Sequence, residues 1–410
     1  MVKGWNFRAQ VLAGAFLGLV TTPAAAQASQ SQPSQTWQDW LAHDPIQWQF
    51  DNYEIRLGGI AAGALFTASQ EGGPGFPDGY ENSGASAGAA GNIRIQRTFD
   101  NGLVLGARGD FLLYRDRLSS DNYDNDTVER LYVFTQTGFG RFEIGQVDGA
   151  AYMLGLTGPL VDQYVTLENR NISLFRDPTT GEDFGGFFVQ ATTVKSSSNY
   201  AKLTYTSPRL FGVQIGASYT PQTVRTPLPF TGNPSDDPNQ QRAIWEVAAS
   251  YTGYFSGFAV GMSGGFAHGR LMNRTDGYDD LVDWAVGTQV AYTIDDSKIT
   301  VGGAYRGTNA YLLDIEQVRD DSRSRMVQLS ATFEKPMWLA GVEFSHADIA
   351  GVEGYMVYGF QVAAGYKVNA NMQLTIGWQY HDYSRSFGLF YNGRDEINMN
   401  AAFLSVNYTL

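Results

Sequence analysis

Residues 372–380 read Met-Gln-Leu-Thr-Ile-Gly-Trp-Gln-Tyr: Met372, Leu374, Ile376, Trp378 and Tyr380 alternate with Gln373, Thr375, Gly377 and Gln379. Successive side chains of a β-strand point to opposite faces, so this spacing makes one apolar face and one small or polar face. The period recurs upstream. Val327, Leu329, Ala331 and Phe333 oppose Gln328, Ser330 and Thr332, while Val213, Ile215, Ala217 and Tyr219 oppose Gln214, Gly216 and Ser218. Near the start, Tyr53, Ile55, Leu57, Ala61 and Leu65 oppose Glu54, Arg56 and Gly58, although Ile60 and Phe66 blur the second face. The turn sequence Asp100-Asn101-Gly102 then launches a strand carrying Arg108 and Asp110 among its non-apolar positions.

The pattern predicts sixteen strands, at 53–66, 88–99, 103–115, 127–137, 141–148, 199–206, 212–220, 242–251, 257–267, 281–293, 298–306, 324–334, 339–346, 354–367, 371–382 and 396–409. Connections alternate in length: 100–102, 138–140, 294–297, 335–338 and 368–370 are short, whereas 67–87, 116–126, 221–241, 307–323 and 383–395 are long. A soluble sandwich has no reason to sort its loops by parity, but a membrane barrel has short turns on one side and long loops on the other. A small barrel must fill its interior with apolar side chains, whereas sixteen strands leave an aqueous lumen that polar residues can line. The fold expected is therefore all-β, a 16-stranded antiparallel transmembrane β-barrel with its apolar face in lipid. Aromatics support it. Phe99, Phe139, Phe142, Tyr205, Phe211, Tyr251, Tyr254, Phe255, Phe258, Tyr292, Trp338 and Tyr366 gather at the short turns, where one aromatic girdle would lie. Aromatic residues favour strands in any fold, so the position of the cluster is what carries the argument.

Composition removes other classes. The 410 residues include 47 glycines, no cysteine and 17% charged residues. Without cysteine there are no disulfides, thiolate metal sites or cysteine nucleophiles, and four histidines offer little for a histidine-rich metal centre. A formal charge of −13 offers no basic excess for a phosphate backbone, so nucleic acid is not an expected partner. Lys3 and Arg8, the apolar run 11–20 and Pro23-Ala24-Ala25-Ala26 read as a signal peptide over residues 1–26. Its removal takes away two positive and no negative charges, moving the formal charge from −13 to −15. Residues 27–50 read as a polar leader in which Trp37, Trp40 and Leu41 share a short helical turn, with the barrel occupying 51–410. Elsewhere the chain has no apolar run long enough for a helical span.

One connection, residues 149–198, is far longer than the rest, and loops of this length are uncommon unless functional. Ahead of it stands Gly140-Arg141-Phe142-Glu143-Ile144-Gly145-Gln146, and after it Asn199-Tyr200-Ala201-Lys202-Leu203-Thr204-Tyr205-Thr206-Ser207-Pro208-Arg209-Leu210-Phe211-Gly212. This layout resembles the general porins of Gram-negative outer membranes, particularly those of alphaproteobacterial type, which have a G-R-x-x-x-G-R-like strand, long loop 3 and an N-x-x-x-Y-x-S-P-x-x-x-G strand and turn. The resemblance extends over nearly the whole mature chain through strand count and loop parity. Gln146 departs from the usual basic residue, and Leu410 stands where such barrels usually finish in an aromatic.

The resemblance implies an outer-membrane homotrimer, a water-filled channel for passive diffusion of small hydrophilic solutes and ions, and a loop 3 folded inward to narrow it. Opposed fixed charges across such a gap order water and make the passage of apolar solutes costly. The wall bases expected at the constriction are Arg56, Arg94, Arg108 and Lys202, all opposite the apolar stripe; the loop acids are Asp148, Asp162, Glu168, Asp177, Glu182 and Asp183. Arg97 shares the parity of Ile93 and Ile95, and Arg130 lies in a strand with apolar residues on both faces, so neither is counted. The acidic balance favours cations weakly. For the trimer contact, Gly59, Ala61, Gly63 and Ala402 offer a small-residue face. Outer-membrane lipid and lipopolysaccharide complete the expected partners.

No cofactor is expected. The runs Asp121-Asn122-Tyr123-Asp124-Asn125-Asp126 and Asp276-Gly277-Tyr278-Asp279-Asp280 could bind Ca²⁺ or bridge divalent ions to lipopolysaccharide, but neither fits an EF-hand loop and both read first as solvated acidic loops. The alternative function is a substrate-specific channel for sugar, phosphate or organic acid. That would need a lumenal aromatic stripe or a dense Arg/Lys stripe. A soluble exported β protein is a further class, distinguished by heat-modifiable migration and detergent requirement. An enzyme is not expected: Ser345-His346 and His381-Asp382 are the nearest catalytic material, and neighbours on a strand face opposite ways.

Overall fold

The computed structural model describes residues 46–71, 80–115, 128–167, 191–198, 200–223, 241–272, 277–310, 318, 323–350, 355–385 and 396–410. Among these residues seventeen strands form one sheet: β1 Ile46–Phe50, β2 Tyr53–Gln70, β3 Tyr80–Thr98, β4 Val104–Arg115, β5 Val128–Thr137, β6 Gly140–Gln146, β7 Ala201–Thr206, β8 Val213–Gln222, β9 Gln241–Phe255, β10 Phe258–Leu271, β11 Val282–Ile294, β12 Ser297–Thr308, β13 Arg323–Glu334, β14 Trp338–Ala350, β15 Tyr355–Lys367, β16 Met372–Arg385 and β17 Glu396–Thr409. Each of β2–β17 pairs antiparallel with its sequence neighbour, and β17 closes on β2 from Met399↔Gln70 to Thr409↔Ile60. The sixteen long strands are therefore a closed antiparallel barrel, which leaves no open edge among them.

β1 is an addition to the expected pattern. It lies inside the segment read as leader, pairs with β2 from Ile46↔Leu57 to Phe50↔Tyr53, and takes up the same edge of β2 just beyond the end of β17. Leu410 and Gly59 exchange backbone hydrogen bonds at this junction, Leu410 N–H to Gly59 O at 2.8 Å and Gly59 N–H to Leu410 O at 3.3 Å. The helical turn proposed at Trp37–Leu41 and the signal peptide lie outside the described residues. Most of the long connection expected at 67–87 is strand, because β2 runs to Gln70 and β3 begins at Tyr80.

The alternation sorts as expected. Ile376, Leu65, Ile144, Val133, Val247 and Ile215 on the outer face are all more than half exposed. A continuous band of that kind is tolerated when its solvent is hydrocarbon. No helix of the described residues is long and apolar enough to cross a membrane; the chain crosses on strands. At the short turns Phe142 stacks near Tyr205 (4.7 Å between centroids), Phe258 on Tyr292 (4.5 Å) and Trp338 near Tyr366 (4.8 Å), with Phe139 and Phe211 almost fully exposed. The 100–102 turn closes as its sequence demands: Gly102 takes φ +80° and donates to Phe99 O at 2.8 Å, while Asn101 Oδ1 accepts the Leu103 N–H at 3.1 Å.

Candidate functional site

Strand register arranges the inner wall. Arg56 on β2 is paired with Arg94 on β3, Arg94 with Arg108 on β4, Arg108 with Tyr132 on β5, Tyr132 with Gly145 on β6, and Gly145 with Lys202 on β7. Direct cross-strand partners share a face, so all four expected wall bases stand on one inward row. They are not equivalent. Arg56 is held by Glu54, two residues along β2, and Arg108 Nε is 2.7 Å from Asp110 Oδ1. Arg94 has no ion-pair partner among the described residues; its guanidinium carbon sits 4.8 Å from the centroid of the Phe134 ring.

Lys202 corrects its expected role. It is buried, and its Nζ donates to Val147 O (2.7 Å), Ser197 O (2.9 Å) and Ser198 O. These carbonyls stand at the two ends of the long connection, so the ammonium clamps the loop's base instead of facing an open lumen.

Two residues passed over in the sequence join the wall. Arg130 is inward and buried, bridging Asp110 Oδ2 at 3.2 Å and Asp148 Oδ2 at 2.6 Å. The apolar residues that hid its direction, Tyr132 and Phe134, are inward too, packed with Val104 and Val147. Arg141 Nε lies 2.6 Å from Glu143 Oε1, and its guanidinium carbon is 3.8 Å from the Phe134 centroid. Its parity with Glu143, opposite Phe142 and Ile144, was readable. Arg97 faces outward at the short-turn rim, over Tyr53 (5.1 Å) and Phe99 (4.7 Å).

The first part of the loop is laid along the polar face of the remaining strands. After Gly149 comes α1 (Ala150–Met153), whose Ala150 and Ala151 N–H groups donate to Ser218 Oγ (3.2 Å) and Glu246 Oε2 (3.1 Å). Further on, Leu156 N–H donates to Ser263 Oγ (2.8 Å), Gln289 Nε2 to Thr157 O (2.6 Å) and Gly158 N–H to Gln328 Oε1 (2.7 Å). Gln373 Nε2 reaches Val161 O at 2.8 Å and Gln361 Nε2 reaches Val165 O at 3.2 Å. Val161, Tyr164 and Val165 then pack against Phe66, Met326, Tyr383, Met399 and Phe403. This explains the blurred alternation of β2: Phe66 is an inward apolar residue covered by the loop. Burying a valine such as Val165 fully contributes about 1.5–3 kcal/mol. Gly287 makes the close approach on β11 feasible, since a Cβ there would fall 1.8 Å from Leu156 O.

Among the loop acids, Asp148 is paired with Arg130, whereas Asp162 is fully buried and meets no basic side chain among the described residues. Its Oδ1 accepts the N–H groups of Tyr164 (2.8 Å) and Val165 (2.7 Å), and its Oδ2 accepts Ser405 Oγ and Asn407 Nδ2. Glu168, Asp177, Glu182 and Asp183 lie outside the described residues. The loop returns through Ser196, which donates to Asp283, and Ala191, whose carbonyl accepts Arg306 Nη1 at 3.2 Å. Arg306 and Asp283 are themselves a buried pair at 2.7 Å, another contact the sequence did not single out.

Gly59, Ala61 and Gly63 face outward, each paired across to Gly91, Ala89 and Ala87 of β3. Ala402 also faces outward but pairs with Thr67, farther along β2. Asp121–Asp126 and Asp276 lie outside the described residues, while Asp279 and Asp280 each accept a backbone N–H. Ser345 and His381 point inward, whereas His346 stacks on outward Tyr358 at 4.4 Å and Asp382 shares its outward parity with Tyr380.

A closed sixteen-stranded barrel with a lipid-compatible exterior and a charged inner wall is an outer-membrane channel architecture. The sequence matches the model of the Gram-negative porin family over residues 13–386, and the chain belongs to that family, which places it in the outer membrane. In fold it is similar to OmpF of Salmonella typhi, solved in complex with daunomycin, at 14% identity and TM-score 0.53, covering 89% of this chain and 100% of that one. It is also similar to an anion-selective porin from Comamonas acidovorans, at 11% identity and TM-score 0.51, covering 87% and 100%. Comparison with the curated proteins finds no match.

Proposed function

We propose that the protein is a general diffusion porin: a passive, non-enzymatic channel for small hydrophilic solutes and ions, weakly cation-preferring, working as a homotrimer among outer-membrane lipids and lipopolysaccharide. The observation that carries this reading is the division of the inner face. Ser218, Ser263, Gln289, Gln328, Gln361 and Gln373, on strands between β8 and β16, spend their side chains on loop backbone, and Ser405 and Asn407 of β17 theirs on the loop's Asp162, while β2–β4 keep the row Arg56–Arg94–Arg108 on the wall. The passage then runs between the arginine wall and the loop, where a transverse field favours small polar solutes over apolar ones.

The weak cation preference rests on charge balance. Arg56, Arg108, Arg130 and Arg141 are each matched by a neighbouring carboxylate from Glu54, Asp110, Asp148 or Glu143, so the wall is far less basic than its arginine count. The acidic chain supplies the remaining bias. A substrate-specific channel would call for a continuous aromatic or basic ladder, and the arginine row stops at Tyr132.

Single-channel recording of refolded protein in planar bilayers, with reversal potential in a KCl gradient, tests the reading. Stepwise ohmic openings in threes with a cation-signed potential are expected. Small conductance blocked by one solute favours the specific channel, and refolded protein that never inserts refutes both.

A further inference from the structure

The outer surface of β8–β10 carries a charged arrangement that solute passage does not use. Arg242 on β9 is the direct cross-strand partner of Arg270 on β10, and on its other side it pairs with Gln222 of β8. All three are exposed. Two like charges directly opposite on neighbouring strands repel one another. Among the described residues neither guanidinium has an ion-pair partner. The nearby carboxylates are engaged elsewhere: Asp280 Oδ1 takes the Leu271 N–H at 2.9 Å, Asp279 Oδ1 takes the Asp280 N–H at 2.8 Å, and Asp283 holds Arg306 inside the barrel.

The backbone is bent to create this pairing. Trp245 faces outward and Ile244 inward, so strict alternation would send Arg242 inward. Instead the register slips between His268 and Arg270, opposite Ala243, which takes φ +49°. L-residues rarely adopt that region, and a β-bulge is a recognised way of re-aiming a side chain. Here the bulge sets Arg242 beside Arg270.

Their height on the barrel gives the pair its chemistry. Just below them on the outer face are Trp245, stacked near Tyr219 at 4.4 Å, then His268 and Trp284. At the far end of the same strands is the Phe258–Tyr292 stack, beside the short turn at 256–257. Aromatic belts mark the two membrane interfaces, and short turns the periplasmic side. The arginines thus stand one step beyond the external belt, at the depth of the outer-leaflet head groups.

We propose that Arg242 and Arg270, with Gln222, bind a phosphate-bearing lipid head group of the outer leaflet. A phosphate between two guanidiniums accepts paired, charge-assisted hydrogen bonds and removes their repulsion. The acyl chains lie against Trp245, Val247 and Phe266, an apolar contact that free phosphate lacks.

The test titrates full-length refolded protein in detergent with bisphosphorylated lipid A, with lipid A stripped of both phosphates, and with inorganic phosphate, following tryptophan emission and heat-modifiable unfolding. Saturable binding of the bisphosphorylated lipid, at least tenfold tighter than its phosphate-free form, is expected. Arg242→Gln/Arg270→Gln should abolish that preference, and Arg242→Lys/Arg270→Lys should keep part of it. Equal binding of the two lipids, or a preference that survives the double Gln substitution, overturns the proposal; inorganic phosphate binding as tightly as the lipid makes this a free-anion site and overturns it too. If the double variant does not fold, Arg242→Gln and Arg270→Gln alone should each weaken binding at least threefold, and no weakening in either refutes it. Single-channel conductance, measured alongside, separates this result from the channel reading.

Discussion

Asn407, near the end of β17, donates from Nδ2 to Asp162 Oδ2 of the long loop at 2.9 Å. With Ser405 and two loop N–H groups also directed at it, this carboxylate is an anchor between loop and wall. Asp162→Ala leaves four donors without their acceptor, and unsatisfied buried donors are costly. A loss on the order of 3 kcal/mol is expected, read as a lower urea midpoint in detergent, together with noisier open-channel current. An unchanged midpoint and quiet current would show that the loop is held without this contact.

Lys202 ties the outgoing end of the loop at Val147 to the returning end at Ser197 and Ser198. Hydrogen bonds to a charged donor contribute more than neutral ones, and Lys202→Met removes them while keeping most of the volume. We expect a destabilisation of about 1.5–3 kcal/mol and faster proteolytic cleavage of the loop in an intact barrel. Cleavage at the wild-type rate would contradict the clamp.

Arg94 and Arg108 stand opposite each other, yet of these two only Arg108 is paired with Asp110. Removing the Arg94 charge therefore changes the field of the lumen, whereas removing that of Arg108 also takes away one of the two bases that hold Asp110, leaving Arg130. Arg94→Gln should shift the reversal potential toward cations and alter conductance without affecting barrel stability. Arg108→Gln should cost stability as well. Selectivity insensitive to Arg94 would mean that the row does not border the ion path.

Gly63 faces outward between Val406 of β17 and Ala87 of β3. Gly63→Trp sets a bulky ring on this smooth patch while the barrel's own hydrogen bonds remain. Semi-native electrophoresis should show monomeric, heat-modifiable barrels in place of trimers. A fully intact trimer would move the interface elsewhere on the wall.

The strand pattern, the closed barrel and the outward direction of the apolar stripe were legible in the sequence, because period-two alternation is local and each strand repeats it. β1 was missed although Asp44-Pro45 and Asp51-Asn52 bracket it with turn residues, because Ile46–Phe50 is only five residues long and its place depends on where β17 stops. The resemblance in the segments flanking the long loop pointed to the right family.

What the sequence by itself determined is a property of single strands: which residues face lipid, which face inward, and where the turns fall. The tertiary structure alone decided what each inward charge does. Parity placed Arg56, Arg94, Arg108 and Lys202 on one face, but only register aligned them in one row, and only the loop's path turned Lys202 into a clamp and Asp162 into an anchor. The reason is physical. A side chain's direction is set by its neighbours along the chain, whereas its electrostatic role is set by whatever lies within hydrogen-bonding distance, and here those partners come from as far as 245 residues away.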